Sequence, residues 1–127
     1  MGDYILLVED DETLADVVQS ALRTRGYKVT HAATCANATA VAAQKRPRLL
    51  LLDIALPDGN GLDLLSELRA NHLTNGAPVI VLSSNQVTRS VIRRLDIQRF
   101  IPKPYSVSDL VSVVDSYLKA QDRDHAP

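Results

Sequence analysis

Five residues whose side chains suit phosphate and metal chemistry follow apolar runs of this 127-residue chain. They are Glu9, Asp10, Asp53, Ser83 and Lys103. Carboxylates held close together repel one another, and a hard divalent cation such as Mg²⁺, which prefers oxygen ligands, removes that repulsion. We expect Asp10 and Asp53 to be direct ligands of Mg²⁺. The backbone carbonyl of Ala55 is the expected third ligand, and Glu9 would hold the ion through water.

A hydroxyl and an ammonium beside a metal-bound carboxylate make a site for a trianion. Ser83 and Lys103 would each hydrogen bond or neutralise one phosphoryl oxygen. Asp53 would then be the nucleophile, and transfer of a phosphoryl group to it gives an acyl phosphate. Each residue alone is generic, so the prediction rests on their positions at the ends of different strands.

The apolar runs are typical of strands buried in a parallel sheet, and helical spacing follows each of them. Strands are predicted over Tyr4–Val8, Lys28–Ala32, Leu49–Asp53, Val79–Leu82 and Arg99–Pro102. Helices are predicted around Leu14–Leu22, over Cys35–Lys45, around Leu62–Leu68, over Val87–Leu95 and around Leu110–Leu118. This alternation predicts an α/β fold, a flavodoxin-like doubly wound (βα)5 domain with a five-stranded parallel sheet of order 2-1-3-4-5. In that order strands 1 and 3 are neighbours, and a crevice opens above their carboxyl ends.

Length and composition indicate one domain. An apolar fraction of 46% is enough for one core, and we expect the domain to span residues 1–120, followed by a frayed polar tail at 121–127. The net charge of −1 and the lack of a helix-turn-helix or basic recognition segment argue against direct nucleic-acid binding. Cys35 is the only cysteine, and neither a secretory signal nor a membrane-length apolar run is present. We therefore expect a cytoplasmic protein that does not enter a membrane.

Four motifs together resemble the receiver domain of response regulators, the CheY-like domain of two-component signalling. They are Ile5–Asp11 (ILLVEDD), Leu52–Pro57 (LDIALP) with Gly61 after it, Pro78–Ser84 (PVIVLSS) and Phe100–Pro104 (FIPKP). The resemblance covers essentially the whole chain. It implies a phosphorylation-dependent switch, not an enzyme, whose only catalysis is its own phosphotransfer and slow autodephosphorylation.

In that family an acidic pair binds Mg²⁺, and the aspartate after the third strand takes a phosphoryl group from the phosphohistidine of a histidine kinase. The resemblance thus implies that Asp53 is the phosphoacceptor and that Ser83 and Lys103 bind the phosphoryl group. It also implies a cis Lys103-Pro104 bond and a switch role for Phe100, which swings inward as Ser83 moves toward the phosphate. The implied partners are a histidine kinase or phosphotransfer protein and a downstream target or output domain. That target would read the face formed by helix 4, strand 5 and helix 5.

Two departures from the family pattern matter. Only four residues separate Leu95 from Phe100, so helix 4 or its exit must be shortened or re-angled, which puts the usual dimerisation mode in doubt. Ala55, two residues after the phosphoacceptor, has no polar side chain to orient a hydrolytic water. In the family this position and that of Asn85 influence hydrolysis, so we expect slow to intermediate autodephosphorylation.

Two other functions compete with the switch. A Mg²⁺ phosphatase resembling haloacid dehalogenases would need an aspartate two residues after the nucleophile, where this chain has Ala55. A binding module that never uses phosphate would not need the intact set of acids, hydroxyl and ammonium.

Simpler interpretations are kept for several residues. Phe100 suits a plain core aromatic as well as a mobile switch. Asp11 and Glu12 are interpreted as acids at a helix start. A solvated surface is favoured over a docking patch for the arginines around helix 4, which are Arg89, Arg93, Arg94 and Arg99. Surface or structural roles are favoured for the three histidines, His31, His72 and His125.

Overall fold

The computed structural model of the protein describes residues 3–124 and shows strands alternating with helices. The strands are β1 (Tyr4–Val8), β2 (Lys28–Ala32), β3 (Leu49–Asp53), β4 (Ala55–Leu56), β5 (Gly59–Asn60), β6 (Val79–Ser83) and β7 (Arg99–Pro102). The helices are α1 (Glu12–Thr24), α2 (Cys35–Gln44), α3 (Gly61–Ala70), α4 (Arg89–Arg94) and α5 (Val107–Asp124).

Five strands form one parallel sheet in the order β2-β1-β3-β6-β7. Because β6 and β7 are the fourth and fifth predicted strands, this is the predicted order and the flavodoxin-like fold class is confirmed. The short strands β4 and β5, which were not predicted, form an antiparallel hairpin between β3 and α3. In the sheet Val8 lies opposite Leu52, and Asp53 lies opposite Leu82, so the carboxyl ends of the strands share one edge.

The three central strands are buried on both faces of the sheet. Side chains alternate between the two faces of a strand, so each apolar run supplies both halves of the core. One half lies against α2 and α3, and its buried residues include Leu6, Leu50, Val81, Leu64 and Leu65. The other half lies against α1 and α5, and its buried residues include Ile5, Leu51, Ile80, Leu22 and Val114.

Helix α4 is shorter than predicted and its exit is tight. It covers Arg89–Arg94, six residues, whereas the apolar spacing predicts Val87–Leu95. The Thr88 side chain accepts a hydrogen bond from the Val91 amide and begins the helix, and Asp96, at φ +55, turns the chain directly into the next segment. The helix is therefore shortened, which is one of the alternatives that the brief Leu95–Phe100 link predicts, the other being a re-angled exit.

Helix α5 runs past the boundary predicted for the polar tail. It continues through Asp124, because its last turns contact the segment before β3. The Gln121 side chain donates to the Arg48 carbonyl at 3.0 Å, and the Arg48 guanidinium pairs with Asp122 at 2.9 Å. Residues 125–127 of the predicted tail, His125 among them, lie outside the described residues. Within residues 3–124 no helix has the length and apolar character needed to cross a bilayer.

Candidate functional site

Carboxylates from β1 and β3 meet at the carboxyl edge of the sheet. Glu9 and Asp10 follow β1, and Asp53 is the last residue of β3, so parallel pairing of these strands brings them together. One carboxylate oxygen from each of the three residues lies within 4.8 Å of the others. Glu9 is 1% exposed and Asp53 is 5% exposed, whereas Asp10 is exposed. The acidic cluster that the strand order predicts is therefore present.

The Lys103 ammonium bridges two of these acids. Its Nζ donates to Glu9 Oε1 at 2.8 Å and to Asp53 Oδ2 at 3.0 Å. The backbone of Lys103 is held in turn, since its N–H donates to the Ser83 carbonyl at 2.8 Å. The Lys103-Pro104 peptide bond is cis, as the resemblance implied.

Burial and mutual repulsion set the electrostatics of the cluster. Burial, aided by the nearby Asp53, raises the pKa of Glu9 to about 7, although the hydrogen bond from Lys103 acts in the opposite direction. Burial alone would lower the pKa of Lys103, but Glu9 and Asp53 favour its charged form and the net direction is upward. Three carboxylates and one ammonium leave negative charge uncompensated. A donor set made of carboxylate oxygens with excess negative charge fits a hard divalent cation such as Mg²⁺.

Ser83 and Ala55 lie at the same edge of the sheet. Ser83 ends β6, is 3% exposed, and its hydroxyl oxygen accepts a hydrogen bond from the Asn85 amide at 3.0 Å. The Ala55 amide donates to Asp53 Oδ1 at 3.3 Å, so this residue adjoins the central carboxylate. We use "site edge" below for Glu9, Asp10, Asp53, Ser83 and Lys103.

The return of the chain after Asp53 requires a glycine. A Cβ at Gly61 would lie 2.2 Å from the Asp53 carbonyl oxygen and 2.9 Å from Ile54 Cα. Both are backbone atoms that cannot move aside without moving the site. The Gly61 amide donates to the Ile54 carbonyl at 2.7 Å and closes the loop at the base of α3.

Phe100 packs against the core and is not one of the residues of the acidic cluster. It is half-buried on β7 opposite Val81, and it packs against the half of the core that also contacts Val91 and Ile92 of α4. This position is compatible with both the packing and the switch interpretation of Phe100, which stay predictions.

Other residues interpreted from the sequence have structural contacts. Asp11 begins α1, its Oδ1 accepting from the Leu14 amide at 3.0 Å, as expected for an acid at a helix start. The His31 ring Nε2 lies 2.6 Å from the Glu9 carbonyl oxygen and supports the segment that carries the acids.

Sequence reasoning missed Tyr105 and Asp58 near the site. The Tyr105 hydroxyl is buried with no hydrogen-bond partner among the described residues, and burial raises its pKa to about 12. Tyr105 and Lys103 line a groove of about 360 Å³ together with Asp11, Leu14, Ser84 and Pro104. Because Tyr105 directly follows Lys103-Pro104 in the sequence, its closeness to the site could have been predicted. Asp58 accepts hydrogen bonds from two backbone amides at the start of α2, which lie 22 and 23 residues before it in the chain. Nothing in the sequence pattern indicated this contact.

Comparison with curated proteins finds regulators of transcription. The chain is 35% identical over 109 residues to the "Probable transcriptional regulatory protein TcrX" of Mycobacterium tuberculosis, covering 84% of this chain and 46% of that protein. It is 31% identical over 121 residues to the "Phosphate regulon transcriptional regulatory protein PhoB" of Pseudomonas aeruginosa, covering 94% and 53%. The chain thus spans about half the length of these relatives.

Comparison with solved structures finds isolated receiver domains of the same shape. The CheY-like response regulator receiver domain protein of Methanospirillum hungatei superposes with a TM-score of 0.85 at 28% identity, covering 98% of this chain and 99% of that one. The non-phosphorylated HemR receiver domain of Leptospira biflexa gives a TM-score of 0.81 at 30% identity, covering 91% and 93%. The family model of the response regulator receiver domain matches residues 5–115. With the fold, the acidic edge and these matches in agreement, the chain belongs to the response regulator receiver domains of two-component signalling.

Proposed function

We propose that this domain is a phosphorylation switch whose phosphoacceptor is Asp53. The donor would be the phosphohistidine of a histidine kinase or of a phosphotransfer protein. The single observation that carries the proposal is the placement of Lys103, whose ammonium reaches Glu9 and Asp53 at 2.8 and 3.0 Å beside the exposed Asp10. A buried carboxylate paired with a lysine at the open edge of a sheet suits a reactive group better than a purely structural one.

In the proposed transfer, a carboxylate oxygen of Asp53 forms a bond to phosphorus as the P–N bond of the phosphohistidine breaks. The imidazole leaves with the bonding electron pair. Lys103 would neutralise one phosphoryl oxygen, and the Ser83 hydroxyl on β6 would hydrogen bond another. The Asp53 carboxylate needs no separate base, because it is already the anionic nucleophile.

Mg²⁺ would be held by Asp10, Asp53 and the Ala55 carbonyl, with Glu9 acting through water. When bound, it would supply positive charge that offsets the charge on the phosphoryl oxygens. The support for this ligand set is the carboxylate cluster and its excess negative charge.

The lifetime of the acyl phosphate would be set by the residues above Asp53. Ala55 presents only a methyl group, which cannot hold a water in line with phosphorus. We therefore expect a slow to intermediate loss of the phosphoryl group in the pure protein with Mg²⁺, and a half-life of seconds would contradict this.

The proposed readout is a shift between two pre-existing arrangements of the face formed by α4, β7 and α5, here called the output face. Phe100 of β7 packs against the same half of the core as Val91 and Ile92 of α4, which supports its proposed role as a switch. A protein target or an output domain would bind this face. Phosphorylation at the site edge would change the charge that Ser83 and Lys103 experience and so bias the two arrangements.

Acetyl phosphate with Mg²⁺ tests the phosphoacceptor. We expect intact-mass spectrometry to show one added phosphoryl group on the wild-type protein and none on Asp53→Asn. Asp63→Asn, which changes an exposed acid of α3, is the matched control and should be labelled like the wild type. Labelling of Asp53→Asn at the wild-type level would overturn the assignment of Asp53.

A further inference from the structure

The loop that leaves Asp53 is a hairpin whose base adjoins the site. Its strands pair Ala55 with Asn60 and Leu56 with Gly59, and Pro57 and Asp58 form the tip. At the base, the Ala55 amide donates to Asp53 Oδ1 at 3.3 Å. A two-stranded hairpin is marginal on its own in water, and strands of two residues supply very little pairing. Something outside the hairpin must therefore fix its position.

The tip is bound to the start of α2. Asp58 Oδ1 accepts from the Cys35 amide at 2.7 Å, and Oδ2 accepts from the Ala36 amide at 3.1 Å. These two donors lower the pKa of Asp58, so the side chain remains a carboxylate. The next residue is also close to α2, because a Cβ at Gly59 would lie 3.4 Å from Cys35 Sγ.

Helix α2 has no acidic side chain of its own in its first turn, and Asp58 provides one. The first N–H groups of a helix have no partner inside it, and the helix dipole makes that end positive. Thr34 satisfies one of these groups by accepting from the Asn37 amide at 3.0 Å, and the first turn of α2 contains no acid. Asp58 supplies two acceptors and a negative charge from a distant part of the chain. The contact is therefore favourable at both ends, for the helix and for the hairpin.

We propose that Asp58 is a positioning residue of the phosphoacceptor site: its two hydrogen bonds to the start of α2 hold the hairpin so that Ala55 stays against Asp53. This inference rests on the proposed function, because it concerns the geometry of the same site. Only one paired residue, Leu56, separates the tip from Ala55. Release of the tip would therefore also loosen the base.

A pair of variants separates positioning from simple capping of α2. Asp58→Ala removes the contact between hairpin and helix, and Thr34→Ala removes a cap of the same helix without touching the hairpin. Each should destabilise the protein by a similar amount, since each removes hydrogen-bond acceptors from the start of the same helix. Both variants remove acceptors from the start of α2, but only Asp58→Ala also removes a negative charge and the contact that holds the hairpin.

The readouts are Mg²⁺ affinity, followed through backbone amide NMR shifts, and hydrogen exchange of the Ala55 and Gly61 amides without Mg²⁺. Both are measured at a temperature where circular dichroism shows every variant to be folded. We expect Asp58→Ala to weaken Mg²⁺ binding about tenfold, the low end of the effect of partners that orient metal ligands. Exchange of the Ala55 amide should accelerate. Thr34→Ala should match the wild type in both readouts.

Equal Mg²⁺ affinity and equal exchange in the two variants would overturn the inference and leave Asp58 as a cap only. Asp58→Asn, which keeps one acceptor oxygen and loses the charge, should be intermediate, and it replaces Asp58→Ala in the same comparison if that variant does not fold. Failure of the wild-type protein to bind Mg²⁺ would count against the proposed function instead. Hydrogen exchange would then still decide whether Asp58 holds the hairpin.

Discussion

The site edge and helix α4 are held in place in opposite ways. Glu9, Asp53 and Ser83 stand at the ends of strands buried on both faces and are at most 5% exposed. Helix α4 has six residues, none of them buried, and rests on the core through half-buried Val91 and Ile92. Segments with few buried contacts open at lower free energy than core strands. We therefore expect a rigid site edge and an α4 that can change position.

The largest loss of stability is expected from Gly61→Ala, which changes a residue packed against the backbone of the site edge. The new Cβ would lie 2.2 Å from the Asp53 carbonyl oxygen, so the backbone of β3 or of α3 must move. We expect the free energy of unfolding, measured by urea titration, to fall by about 3 kcal/mol, the upper end for overpacking.

Gly59→Ala is the matched control in the same hairpin. Its Cβ would meet Cys35 Sγ at 3.4 Å, an ordinary contact, and the change should be less than about 1 kcal/mol. Similar losses of unfolding free energy in the two variants would contradict the expectation that the site edge is rigid. The close backbone approach at Gly61 would then not resist an added Cβ.

Arg69→Ala is expected to give the next largest loss of stability, and it tests whether α4 is the mobile region. The Arg69 guanidinium of α3 donates to the carbonyls of Leu95 at 3.1 Å and Asp96 at 2.6 Å, where α4 ends. It also donates to the Thr74 carbonyl and hydroxyl, each at 3.2 Å. We expect a loss of about 2 kcal/mol, since several buried acceptors lose their donor. Hydrogen exchange should accelerate in α4, and acetyl phosphate should still label Asp53.

Arg94→Ala supplies the contrast, because Arg94 is exposed on α4 and should change stability by less than about 0.5 kcal/mol. If Arg69→Ala accelerated exchange at the site edge as much as in α4, the two regions would not be independent and the comparison would fail.

The sequence predicts contacts that follow from the sheet and misses those that follow from loop paths. Asp10, Asp53 and Lys103 each stand at a strand end, so the strand order alone brings them to one edge. Asp58 and Arg69 act through side chains that reach backbone groups 22 to 27 residues away. Their partners depend on how each loop turns in space, and apolar periodicity does not encode that. The β4–β5 hairpin could not be predicted for the same reason, because its strands of two residues each are too short to show an apolar pattern.

A smaller effect is expected in α5, the other helix of the proposed output face. The Tyr27 hydroxyl donates to Asp115 of α5, which also pairs with Arg25 at 2.7 Å. Burial, followed by this hydrogen bond, raises the pKa of Tyr27 from 10.0 to about 12. The Tyr27 hydroxyl therefore holds its proton more tightly in the folded state than in the unfolded chain. The resulting stabilisation is complete below pH 10 and is lost as the pH rises toward 12.

Tyr27→Phe should therefore lower the free energy of unfolding at pH 8 by about 1 kcal/mol, the net worth of one hydrogen bond. Its urea midpoint should also fall less steeply than that of the wild type above pH 10. Tyr105→Phe is the control, because the Tyr105 hydroxyl has no partner to lose among the side chains that the structure describes, and stability at pH 8 should stay level or rise. Equal losses at pH 8 would mean that the Asp115 contact does not anchor α5.

The smallest expected effect is on α4 itself. Arg89 and Arg93 are exposed and four residues apart, so two like charges face one another along the helix. Arg89→Glu replaces this repulsion with a favourable pair and puts an acid at the positive end of the helix, for a gain of about 0.5 kcal/mol in α4. Arg94→Glu puts the same charge in the last turn, where the helix dipole disfavours it, and should have the opposite sign. Hydrogen exchange of the α4 amides resolves local changes of this size. If Arg89→Glu accelerated exchange in α4, Arg89 would have to stabilise the helix through another group, and α4 would be held more firmly than its exposure indicates.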